Sequence, residues 1–213
     1  MMKKLIAEFL GTFVMVAAGT GAVALGMSVL GIALAFGVAV GVMILAFGKL
    51  SGAHFNPVVS ITFALHGKMN VRELIPYLLA QCLGATAGAL LVHVLNNKST
   101  AGLTHPQDIP TALAYGIEIG ITFTLMFIIL RAPCLVGPSI IRIAILVGAT
   151  IGVNAYLLGP MTGASMNPAR TLGPALVAGD LTYLWLYLSA PVIGGLIALF
   201  IHKAVPPKEK GCC

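Results

Sequence analysis

Long apolar runs separated by short polar breaks dominate the chain. Windows of about 20 predominantly apolar residues, the length a helix needs to cross a bilayer, fall at 5–26, 29–48, 74–95, 111–130, 139–158 and 182–204. The runs are continuous, without the alternation of a barrel strand, and a sheet edge facing lipid would leave backbone groups unpaired. Six helical spans are therefore predicted. Two further apolar stretches, 51–66 and 162–179, are too short to cross, and an Asn-Pro pair interrupts each. They are predicted to be re-entrant segments, giving an all-α membrane protein of six transmembrane helices and two re-entrant half-helices.

Composition agrees with that pattern. Of 213 residues, 59% are apolar and 8% charged, against about 25% charged in an ordinary soluble domain. So little polar surface cannot face water all round, which excludes a soluble enzyme and makes membrane lipid the expected surroundings. The net charge of +6 does not point to nucleic acid, because the basic residues are scattered between apolar runs. Their distribution speaks instead to orientation. Successive spans alternate direction, and Lys3, Lys4, Lys49, Lys68, Arg72, Arg131, Arg142, Lys203, Lys208 and Lys210 fall on one side, leaving Lys98 and Arg170 on the other. Basic loops stay in the cytoplasm, so both termini are expected there, in a multi-pass protein of the cell membrane. The run after Lys3 and Lys4 could pass for a signal peptide, but removing it would destroy the repeat described next, and it is read as the first span. Cys82, Cys134, Cys212 and Cys213 show no ligand spacing with the histidines. Neither a metal site nor a disulfide framework is indicated, and no cofactor is expected.

The sequence repeats internally. Ser51-Gly52-Ala53-His54-Phe55-Asn56-Pro57-Val58 matches Thr162-Gly163-Ala164-Ser165-Met166-Asn167-Pro168-Ala169, and Glu8, Thr12 and Phe13 match Glu118, Thr122 and Phe123 at the same offsets. Glu8 lies 48 residues before Asn56, and Glu118 lies 49 before Asn167. One channel domain, 1–213, with repeats at 1–100 and 108–213, accounts for this register. Three spans in each half, an odd number, require the halves to be inverted relative to one another, so the re-entrant segments enter from opposite faces.

Asn followed by Pro is a helix-start signal. The Asn side chain caps the first free N–H groups, and Pro gives up an N–H that would be unpaired in any case. Asn56 and Asn167 are each predicted to begin a half-helix and to turn their amide donors outward. With inverted halves both tips meet near the bilayer centre, each presenting the positive end of a helix dipole, which disfavours cations there. The residues ahead of the caps, Gly52-Ala53-His54 and Gly163-Ala164-Ser165, must run extended. Irregular backbone at that depth is tolerated where it lines a polar path, so their carbonyls are candidate pore-lining acceptors.

Asn56-Pro57-Val58, Asn167-Pro168-Ala169-Arg170 and the opening Ala7-Glu8-Phe9-Leu10-Gly11-Thr12-Phe13 resemble the aquaporin, or major intrinsic protein, family over essentially the whole chain. Val58 departs from the usual Asn-Pro-Ala, which implies a local packing change with the cap retained. The resemblance implies a selectivity filter of Phe36, Ala155, Ala164 and Arg170, with Ala155 where strictly water-selective members usually have His. Arg170 carries five donors and a permanent charge, suited to orienting neutral solutes and repelling cations. The two alanines leave a wider, less polar ring. Thr171 follows Arg170 where glycerol facilitators typically have Asp, so the filter looks closest to the intermediate kind of some archaeal and bacterial members. The implied activity is passive conduction of water, with small uncharged solutes such as glycerol or ammonia in reach of the wider ring. A homotetramer is likewise what the resemblance implies.

Glu8 and Glu118 are carboxylates inside spans, functional candidates by default. Family resemblance gives them a supporting role for the re-entrant loops; the rival is an ion-coupled transporter with inverted repeats. His54 is placed on the inner vestibule by the same resemblance, while His66 and His93 read as packing or surface residues. Gly11, Gly84, Gly88, Gly120, Gly148, Gly152, Gly194 and Gly195 are predicted to permit close helix approach. Nothing resembles a nucleophile with a base and an orienting residue, so an enzyme is not expected and no catalytic residue is assigned.

Overall fold

The computed structural model describes residues 1–205. Lys208, Lys210, Cys212 and Cys213 lie outside the described residues. Eight helices account for most of the described residues: α1 (Met2–Ala24), α2 (Val29–Ser51), α3 (Pro57–Leu65), α4 (Val71–Asn96), α5 (Thr111–Val136), α6 (Ile140–Thr162), α7 (Pro168–Ala178) and α8 (Leu184–Ala204). Six are long and apolar enough to cross a membrane, while α3 and α7 are the two short ones. This is the all-helical architecture expected. The six crossing helices cover the apolar windows, with one notable difference at α5, which continues to Val136 although its window stops at 130. Arg131 lies over the Phe127 ring, 5.3 Å from its centroid, and so keeps its stem against the helix at the polar end.

The packing follows the repeat. Helix α1 pairs with α4 and α2, just as α5 pairs with α8 and α6, while α2 and α6 pack against each other between the halves. Helix α7 rests on α4, and α3 rests on both α4 and α8. Large apolar side chains such as Leu34, Val38, Leu79, Leu83, Ile145, Leu157 and Phe200 point outward at half or more exposure, the surface a lipid-facing helix requires.

Close approach depends on glycines. A Cβ on Gly148 would sit 2.6 Å from the Gly37 carbonyl oxygen, one on Gly84 2.3 Å from that of Phe9, and one on Gly194 2.4 Å from that of Ile119. Gly88 similarly meets Phe13, Gly11 the Phe55 ring and Gly195 the Val58 side chain, while Gly152 is in ordinary contact with Ala33. Gly120 is an exception to the sequence expectation: nothing lies within 4 Å of it, because that face of α5 points outward. Gly120 stands two residues from buried Glu118, about 200° around the helix, so the helical period itself places it on the opposite face.

Candidate functional site: a constriction between two half-helix tips

Both re-entrant loops are built alike, and each hangs from a buried carboxylate. Glu8 is fully buried in α1. Its Oε1 accepts from Ser51 Oγ at 2.6 Å and from the His54 N–H at 3.0 Å; its Oε2 accepts from the Phe55 N–H at 2.7 Å and from Gln81 Nε2 at 2.8 Å. Glu118, fully buried in α5, repeats the pattern. Its Oε1 accepts from Thr162 Oγ1 at 2.8 Å and from the Ser165 N–H at 3.0 Å, and its Oε2 from the Met166 N–H at 3.0 Å. The loops need such support. Ala53, Phe55, Ala164 and Met166 all have positive φ, between 41° and 53°, a conformation that non-glycine residues hold only when surroundings impose it. A carboxylate accepting consecutive N–H groups imposes it. Two tyrosines complete the frame, Tyr77 Oη donating to the Ser51 carbonyl and Tyr187 Oη to that of Thr162.

The supported loops deliver the two asparagines to one point. Asn56 caps α3 by accepting from the Val58 N–H at 2.9 Å; Asn167 caps α7 by accepting from the Ala169 and Arg170 N–H groups at 3.0 and 3.3 Å. Pro57 and Pro168 occupy the first helical positions. Val58 leaves the first cap intact, its side chain lying behind the tip against Gly195, and Ala169 is fully buried. The amide groups also cross between repeats, a feature the sequence did not disclose. Asn56 Nδ2 donates to the Met166 carbonyl at 2.8 Å, and Asn167 Nδ2 to the Phe55 carbonyl at 2.9 Å. Each loop thus consumes one N–H of the opposite asparagine, which leaves one on each for whatever stands in the constriction, that of Asn167 with a long contact of 3.9 Å to Met15 Sδ.

A cavity of about 250 Å³ runs past these tips. Bordering it are Asn56, Asn167, Phe36, Ala155, Ala164 and Arg170, together with Gly52, Ala53, His54 and Ser165. Gly163 does not border it: it is the left-handed cap of α6 and lies against Thr104. The remaining wall is apolar, with Phe55, Phe63, Met15 and Met166 on it and Val40, Ile44, Ile129 and Ile143 toward the basic end. Glu8 and Glu118 are absent from this wall, each turned into its loop.

Arg170 is 5% exposed. Its Nη1 donates to the Gly102 carbonyl at 2.6 Å, and its guanidinium carbon lies 4.9 Å from the Phe36 ring centroid. Gly102 belongs to the segment 97–110 that joins the repeats, and its φ of 80° places the carbonyl toward the arginine. Phe36 in turn fits because Gly19 leaves room: a Cβ there would lie 2.1 Å from the ring. Beside Arg170 a hydroxyl chain runs from Thr104 to Thr171 at 2.9 Å and on to Ser165 at 2.6 Å. His54, bordering the inner half, has Nδ1 3.0 Å from Ser60 Oγ, which also accepts from Gln81 Nε2. His66 touches the His202 ring at 5.1 Å between centroids, away from the cavity. Sequence reasoning missed Gln81, Gly102, Gly19 and the two tyrosines; only Tyr77 and Tyr187 carried a usable signal, as a matched pair 110 residues apart.

Paired capped tips, one carboxylate per loop and a buried arginine on a continuous cavity find their counterparts among known proteins. The family profile described as Major intrinsic protein matches residues 1–202. The chain belongs to that family. Aquaporin NIP1-1 of Zea mays is 40% identical over 216 residues, covering 95% of this chain and 74% of its own length. Aquaporin NIP3-1 of Arabidopsis thaliana is 41% identical over 224 residues, covering 98% and 69%. The X-ray structure of the aquaglyceroporin from Plasmodium falciparum matches with a TM-score of 0.88 at 31% identity and 96% coverage of both chains. The protein is a multi-span passive channel for water and small solutes. An ion-coupled transporter is disfavoured by the same relationships, and by two carboxylates committed to backbone N–H groups away from the cavity.

Proposed function

We propose that the chain conducts water in single file through the Asn56–Asn167 constriction, admits small uncharged solutes such as glycerol and ammonia, and excludes protons and ions. The observation that carries this reading is the crossed pair of amide bonds at the tips. They fix both asparagines, so a passing water oxygen accepts from two immobile N–H groups, and its own hydrogens turn away along the axis. A chain of waters so oriented cannot relay a proton through its midpoint. Half-helix dipoles act against cations at the tips, and the Arg170 charge does so at the filter.

Phe36, Ala155, Ala164 and Arg170 form the filter in this reading, and Gly52, Ala53, His54, Ala164 and Ser165 supply carbonyl acceptors on either side. Because Ala155 and Ala164 contribute only methyl groups, the ring selects weakly against solutes larger than water. The repeats, 1–100 and 108–213, form one inverted-repeat channel domain. Both termini lie in the cytoplasm of a cell-membrane protein, a placement supported by the basic residues near the ends of α2, α5 and α8. Four copies assemble side by side, each with its own pore, and no catalytic step is involved. Vesicles reconstituted with the protein should shrink rapidly under an osmotic step without proton leak, and Ala164→Trp should abolish most of that shrinkage. Rapid shrinkage unaffected by Ala164→Trp would remove the filter assignment, and proton leak would remove the constriction argument.

A further inference from the structure

Position 15 breaks the match between the two repeats beside the Asn167 tip of the cavity. Its equivalent, by the 110-residue offset that relates Glu8 to Glu118, is Leu125, and both border the cavity. Met15 Sδ faces Asn167 Nδ2 at 3.9 Å, a long contact for a sulfur acceptor. The matching Leu125 carries no acceptor, and the Asn56 amide donates to the Met166 carbonyl. The other methionine of the wall is engaged differently: Met166 Sδ accepts from Asn154 Nδ2 at 3.3 Å. Met126 is fully buried behind the wall.

We propose that Met15 is an oxidation site through which hydrogen peroxide, a small uncharged solute of the size the cavity admits, closes the channel. The inference rests on the conducting pathway argued above. A sulfur lone pair of Met15 attacks one peroxide oxygen, the O–O bond breaks, and the other oxygen leaves as water after proton transfer. Sulfur is oxidised by two electrons and the peroxide is reduced. The product sulfoxide exchanges a soft, weak acceptor for a strong one. It stands beside Asn167 Nδ2, whose N–H not given to the Phe55 carbonyl has only the long contact to the Met15 sulfur, so it takes firmly the donor that a permeating molecule would use. It also adds an oxygen atom to a wall that Leu125 otherwise matches in bulk. Both effects lower conduction.

The test uses proteoliposomes of the full chain exposed to hydrogen peroxide, then washed. Osmotic shrinkage is compared with each sample's own untreated rate, and peptide mass spectrometry reads the oxidation state of each methionine. Oxidation of Met15 should accompany the loss of most of the osmotic permeability, and Met15→Leu, which copies the residue of the other repeat, should retain its untreated rate through the same exposure. Three results would overturn the proposal. Met15 could stay unoxidised while exposed Met2 and Met27 are converted, it could be oxidised with shrinkage unchanged, or Met15→Leu could lose its permeability to the same extent. Absence of shrinkage before any oxidant would instead count against the conducting pathway itself, so the two failures are distinct.

Discussion

At the residue scale, the decisive groups are those that hold irregular backbone in place. Glu118 illustrates the physics: three donors converge on one carboxylate, two of them the consecutive N–H groups of Ser165 and Met166, the second at positive φ. Glu118→Gln keeps the size but replaces an acceptor oxygen with an NH₂ group that confronts a donor. A buried N–H left without a partner costs about 1–3 kcal/mol, so the variant should melt at a lower temperature, measured by loss of monodisperse protein after heating in detergent. The corresponding residue-level information was only partly legible in the sequence. Glu8 and Glu118 announced themselves as carboxylates in apolar runs, and the Asn-Pro pairs as helix starts. The crossed amide bonds, the Gly102 carbonyl on Arg170 and the sulfur beside Asn167 were not legible. They join residues 68 to 152 positions apart, and no local pattern specifies such meetings.

At the element scale, hydropathy located six spans and the helix-cap signal located two half-helices, because both depend on short-range chemistry that the bilayer and the cap enforce. Helix faces were less legible from composition, as exposed Gly120 and tightly packed Gly148 demonstrate. In lipid both faces of a helix are apolar, so composition does not distinguish an inward glycine from an outward one. The crossing of α2 and α6 is accordingly a place for a sharp prediction. Gly148→Val would drive its side chain into the Gly37 carbonyl, where a single Cβ already falls at 2.6 Å, and overpacking of this kind typically costs about 1–3 kcal/mol. Gly120→Val adds the same side chain to open space. The first should reduce the yield of folded protein in detergent and the second should leave it near the parent level, as read by size-exclusion chromatography.

The end of α3 offers a pH-dependent case at the same scale. His66, which caps α3, has its pKa lowered by partial desolvation and by the charges of Lys68 and Lys203. Its folded pKa therefore lies below the ordinary value of about 6.5, and folding favours the neutral imidazole. The contribution to stability is present above that ordinary value and is lost as pH falls through it toward the folded pKa, because the charged ring would join two lysines. Lys203 also donates to the Leu65 carbonyl at 3.2 Å, so α3 and α8 share this contact. Acidification from neutral pH should speed amide hydrogen exchange at the end of α8 after correction for intrinsic rates, and replacing His66 together with His202, the ring it touches, by Gln should remove most of that pH dependence.

At the scale of the whole molecule, the two ends of the bundle carry different chemistry. One end has Lys3, Lys4, Lys49, Lys68, Arg72, Arg131, Arg142 and Lys203 within or beside its helix termini. The other has the stacked pair Tyr115 and Trp185, with ring centroids 5.8 Å apart, and Tyr183 at the start of α8. Lys98, on that second end, donates to the Ala24 carbonyl and so closes the end of α1. The basic end supports the orientation proposed above, with that end in the cytoplasm, whereas aromatic rings sit at either interface and do not choose between them. It follows that cysteine introduced at Thr100 should react with an impermeant maleimide added to intact cells, whereas cysteine at Lys68 should react only after the cells are opened. The assay requires the four native cysteines to be replaced by serine. Labelling at position 68 in sealed cells would invert the molecule, placing the Arg170 filter at the inner mouth and the aliphatic half of the cavity outside.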